Sequence, residues 1–152
     1  MIAFLKQLLL RFVGSGWIRS RFNQVPEPDE MLCRFIFSRS HFGRSPPRVK
    51  GDAFLPPPKP PHETSVSRIA GLNEHLVWRI GERVAQTSQR GLHARADVLA
   101  KAVFAADLDI RPDNKPKRHA AIVGWPEQKA RQILLAQKIA AAAELHERNG
   151  AS

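Results

Sequence analysis

The sequence predicts a compact single α+β domain, built from a small β element and three helices, with a basic amphipathic helix ahead of it. Three observations carry that expectation. Two short stretches, 31–38 and 64–69, are aromatic-rich or alternate in the manner of strands. Three later stretches place apolar residues at helical spacing. Their order shows no internal repeat and no regular strand–helix alternation, which points away from a doubly wound sheet.

The 152 residues fit one domain, and a chain of this size can bury roughly two-thirds of its unfolded surface. Residues 1–30 read as an N-terminal extension and linker. Ile2, Leu5, Leu9 and Phe12 recur along one helical side, with Lys6, Gln7 and Arg11 opposite. A run this short falls below the roughly twenty residues a bilayer crossing needs. It suits a membrane-surface or partner-docking helix, a helix packed on the domain, or sequence upstream of a start at Met31. The acidic, proline-punctuated stretch 25–30 then reads as a linker into a domain spanning 31–152.

Within that domain, 31–38 forms the first expected strand, with Phe35 and Phe37 sharing a face. A basic loop follows, and then a proline-rich loop at 54–61 that favours polyproline II. The second strand is 64–69. Asn73 is placed to cap a helix over 74–86 carrying Leu76, Val77, Ile80 and Val84, with Leu72 and Val77 as its staple. A second helix is expected over 94–106, with Leu99, Ala102, Val103 and Ala106 buried. A polar loop at 111–117 precedes either a brief buried strand or an irregular core-packing segment at 120–123. Pro126 suits the first position of a last helix reaching 147, carrying Ile133, Leu134, Ala140, Ala141 and Leu145.

Charge narrows the function. With 24 Lys and Arg against 14 Asp and Glu, the formal charge is +10, so attraction to polyanions is built in and weakens with salt. Between Glu30 and Asp52 there is no acid, while Arg34, Arg39, Arg44, Arg48, Lys50 and His41 all occur. Arg39, Arg44, Arg48 and Lys50 suit a phosphate backbone, and His41 or Phe42 a stacked base. Lys115, Lys117 and Arg118 are expected to add to this nucleic-acid- or anion-binding surface.

An enzyme is the alternative expectation. Arg39, His41, Arg68 and His119 would surround a phosphate, with histidine supplying a group that titrates near neutrality. The absence of Tyr excludes tyrosine chemistry, and the lone Cys33 excludes internal disulfides and cysteine-rich metal sites. The six histidines are dispersed, and Asp107, Asp109 and Asp113 lack the glycine and glutamate of a calcium loop. No metal or cofactor is expected. A third reading is a partner-binding subunit that uses residues 1–25 against a protein or membrane surface, or the proline arm.

The body resembles a group of small uncharacterised bacterial proteins. The resemblance rests on Arg34-Phe35-Ile36-Phe37-Ser38, His41-Phe42, Arg48-Val49-Lys50, Ala53-Phe54-Leu55-Pro56 and Thr64-Ser65-Val66-Ser67-Arg68. It continues through Arg118-His119-Ala120, Ile122-Val123-Gly124-Trp125-Pro126 and Lys129. It covers about 31–145, leaves the first thirty residues outside and so favours reading them as an extension; a bacterial cytoplasmic protein is the expectation. It brings no activity, cofactor or substrate.

Overall fold

The computed structural model describes residues 21–149. The amphipathic helix expected in the first twenty residues lies outside them. The described residues form an α+β fold whose sheet is far larger than the small β element expected. It has six strands, all pairing antiparallel, in the order β6-β7-β4-β1-β5-β8. These are β1 (Met31–Ile36), β4 (Thr64–Arg68), β5 (Ala94–Leu99), β6 (Asp109–Pro112), β7 (His119–Val123) and β8 (Glu144–Glu147). A separate hairpin joins β2 (Phe42–Arg44) to β3 (Pro47–Val49).

Alternation along β1 divides the core in two, as period-two geometry requires. Leu32 and Ile36 point to one cluster, shared with Ala94, Ala96 and Val98 of β5. Cys33 and Phe35 point to the other, under helix α1 (Glu74–Ser88). Helices α2 (Ala100–Ala105) and α3 (Lys129–Ala141) bury Val103, Ala136 and Ile139 in the first cluster. The sheet is therefore a middle layer between α1 and the α2–α3 pair.

Helix α1 follows expectation closely. The Asn73 side chain accepts from the Leu76 amide at 2.9 Å, and Leu72 and Val77 pack in the same cluster. Gly81 is what lets α1 approach the sheet, because a Cβ there would stand 2.6 Å from the Phe35 ring.

Two expected helices are corrected. Residues 94–106 are not one helix, because 94–99 form the central strand β5 and only the short α2 follows. Alanine favours a helix locally, but Ala94, Ala96 and Val98 alternate with Arg95 and Asp97, and packing on both sheet faces decides. The last helix likewise begins at Lys129 rather than Pro126 and stops at Ala141, leaving β8 to pair with β5. Trp125 anchors the preceding turn with its indole N–H on the Ile122 carbonyl at 3.1 Å, and Gly124 there has φ 88.

Residues 21–30, expected as extension and linker, are mostly exposed and touch the rest of the chain at defined points. Phe22 is buried, and the Glu30 and Pro28 carbonyls accept from the amides of Ala100 and Lys101. Glu30 is itself buried and forms a two-pronged pair with Arg68, at 2.6 and 2.8 Å. Among the described residues, no helix is long and apolar enough to cross a membrane.

Candidate nucleic-acid interface

The basic stretch after β1 folds into a 3₁₀ turn at Arg39–His41 and then the β2–β3 hairpin. Phe42 and Val49 face each other in register and are buried, which roots the hairpin in the main core. Gly43 stands opposite Arg48, and the missing side chain leaves room for the Arg48 guanidinium. A Cβ on Gly43 would lie 3.0 Å from that group. Lys50 donates its backbone N–H to the His41 carbonyl at 2.9 Å, closing the turn.

The expected anion ligands divide into distinct roles. Arg39, Arg48 and Lys50 are exposed. Among the described residues they form no ion pair. Arg44 is exposed too, but its Nε donates to the Glu147 carboxylate at 2.7 Å and ties the hairpin to β8. Arg34 points inward, donating to the Ala53 and Ser65 carbonyls at 2.9 Å each. Desolvation, reinforced by the charge of Arg90, lowers its pKa to about 10. Burial also lowers the pKa of His41, against the opposing pull of Asp52, and the charge of Arg34 lowers it further. His41 is thus a neutral imidazole at pH 7 rather than a fourth cation.

Between the hairpin and α3 lies a concavity of about 360 Å³. Arg48 and Lys50 border it on the hairpin side, Ile133 and Gln137 on the helix side, and Asp52 and Leu55 between them. Gly51 sits against α3 so closely that a Cβ there would be 2.9 Å from the Gln137 side chain. Sequence reading missed Ile133 and Gln137 as site residues. They belong to no motif, and only the docking of α3 brings them beside the hairpin.

Lys115, Lys117 and Arg118 do not join this surface. They lie in the β6–β7 connection, at the other edge of the sheet and at the opposite end of β1. Lys115 and Lys117 are exposed there. Arg118 instead donates to the Arg68 and Ala70 carbonyls, at 3.1 Å each, and covers the Phe22 ring at 4.4 Å.

The four-residue phosphate pocket of the enzyme alternative does not form. Arg39 and His41 follow the C-terminal end of β1, whereas Arg68 pairs in register with Leu32 near its start. Arg68 is 1% exposed, and its guanidinium is used by Glu30 and the Gln24 carbonyl. His119 stands opposite Ser67 on the other sheet face from Arg68, and its Nδ1–H donates to Asp113 at 2.7 Å. Among the described residues, no three His, Cys, Asp or Glu side chains gather in a metal-binding group.

A charge cluster around the buried Arg95 was not anticipated. Arg95 of β5 donates to Glu74 at 2.6 and 2.9 Å and to Asp97 at 3.1 Å, with the Trp78 ring over it at 4.7 Å. Burial works against the Arg95 cation, yet its hydrogen bonds to Glu74 and Asp97 outweigh it and raise its pKa. The alternation Ala94-Arg95-Ala96-Asp97 was the signal, once read as a strand. Comparison with protein-family models, curated proteins and solved structures finds no match to this chain.

Proposed function

We propose that this chain binds an anionic polymer, nucleic acid foremost, through the edge made by the Arg39–His41 turn and the β2–β3 hairpin. The observation that carries the reading is a local cation excess: Arg39, Arg48 and Lys50 are exposed and form no ion pair among the described residues. Cations already neutralised by a carboxylate, such as Arg44 or Arg111, have less to offer a phosphate. Cations that are exposed and unpaired release condensed counterions when they meet a phosphate backbone, and that release drives binding.

The test is fluorescence anisotropy with a labelled oligonucleotide across a salt series. Log K should fall linearly with log salt, at roughly 0.7–0.9 per phosphate neutralised. Replacing Arg48 and Lys50 together by Ala should reduce that slope by roughly 1.4 to 1.8. No binding at low salt, or binding indifferent to salt, would overturn the proposal.

A further inference from the structure

We infer that the concavity between the hairpin and α3 receives one unpaired nucleotide, so that the polymer is engaged as a single strand. The inference rests on the polyanion reading and adds a ligand class to it. The concavity is about 360 Å³, at the small end of the ~300–1,000 Å³ typical of ligand sites. That suits one nucleotide and is more room than a bare phosphate fills.

The chemistry of the walls is divided as a nucleotide is divided. Lys50 supplies a cation at the hairpin rim for the phosphate, and Arg48, whose guanidinium rests over Gly43 across the hairpin, borders the same rim. Leu55 and Ile133 supply apolar surface against which a base face can lie, and Ile133 is left 38% exposed on its helix. Gln137 offers both a donor and an acceptor to a base edge, and Asp52 an acceptor for a base N–H or a sugar hydroxyl. Asp52 also repels a second phosphate, which sets the orientation: phosphate at the hairpin rim, base toward α3.

A base inside a duplex cannot enter such a site without leaving its stack, whereas an unpaired base has its face and edge free. The cost of extrusion is a few kcal/mol for a paired base. The concavity therefore discriminates single from double strands, while the cations alone do not.

The experiment compares a labelled 12-nucleotide single strand with the same sequence as a duplex, at low salt, for the full chain and for Ile133→Gln. Ile133 is 38% exposed, so the change removes the apolar wall of the concavity at similar size and unchanged charge without opening the core; circular dichroism checks that the variant is folded. The unaltered chain is expected to bind the single strand at least about fivefold tighter. Ile133→Gln should lose most of that preference and hold duplex affinity within about twofold. A nucleoside monophosphate should shift the backbone amide resonances of Ile133, Ala136 and Gln137, and inorganic phosphate should not. Equal binding of both strand forms, or undiminished preference in folded Ile133→Gln, overturns the inference and leaves the polyanion reading standing. Binding of neither form overturns both.

Discussion

At the scale of single residues, the most consequential contact is Glu30 with Arg68. Both side chains are almost fully buried, 4% and 1% exposed, and the two hydrogen bonds are parallel. Removing one partner strands the other as an uncompensated buried charge, so Glu30→Ala or Arg68→Ala should cost about 3–5 kcal/mol. Burial alone would raise the Glu30 pKa. The Arg68 hydrogen bond and charge, with Arg21, overcome this and lower it. A lowered carboxyl pKa contributes stability that is present above the unfolded value, about 4.3, and is lost as pH falls through the folded value. Urea midpoints should therefore drop between pH 5 and pH 3, and drop less in Glu30→Gln; equal slopes in both proteins would refute this role. His41 gives a second prediction at this scale. Because desolvation holds its pKa below the ordinary 6.5, it is uncharged at pH 7, and His41→Ala should leave the salt slope of nucleic-acid binding unchanged there. A slope smaller by roughly one would mean that His41 binds as a cation.

At the scale of elements, Gly81 separates intrinsic preference from packing. Alanine is favoured over glycine in a helix by about 1 kcal/mol. Here, however, the added Cβ meets the Phe35 ring at 2.6 Å and Leu92 at 2.9 Å, and α1 must lift from the sheet. Overpacking of this kind costs about 1–3 kcal/mol, so Gly81→Ala should lower stability in urea; a gain would mean that α1 yields freely. The same competition explains which elements were legible in the sequence. Strands β1 and β4 and helix α1 were readable because propensity, capping and burial agree in them. Strand β5 was not, since its alanines favour a helix and only two-sided burial in the sheet overrides that preference. Strand β8 was hidden for a related reason. Glu144-Leu145-His146-Glu147 continues the composition of α3, and its strand form comes from pairing with β5. The cations of the candidate site were visible as a run without acids. Their selection was not, because which arginines turn inward, as Arg34 does, or pair with a carboxylate at the surface, as Arg44 does, depends on carbonyls and carboxylates distant in sequence.

For the whole molecule, the question is whether binding follows total charge or its placement. The formal charge of +10 gives a long-range attraction to any polyanion. Among the exposed basic residues, Arg39, Arg48 and Lys50 stand on the turn and hairpin near β8, Lys115 and Lys117 stand next to β7, and others, such as Arg79, Arg83, Lys101, Arg131 and Lys138, are spread over the helices. Four strand spacings lie between β7 and β8 in the sheet, about 19 Å at ~4.8 Å each, and the two groups also sit toward opposite ends of β1. That separation exceeds the screening length of about 10 Å at 0.1 M salt. The two groups therefore act independently at physiological ionic strength. Two double variants with the same charge change distinguish the alternatives. Arg48→Ala with Lys50→Ala should weaken oligonucleotide binding and reduce the salt slope by roughly 1.4 to 1.8, whereas Lys115→Ala with Lys117→Ala should leave the slope within about 0.5 of the unaltered protein. Equal losses in both variants would assign binding to net charge and remove the hairpin edge as a site. A loss confined to the Lys115 and Lys117 variant would move the site to the β6–β7 connection.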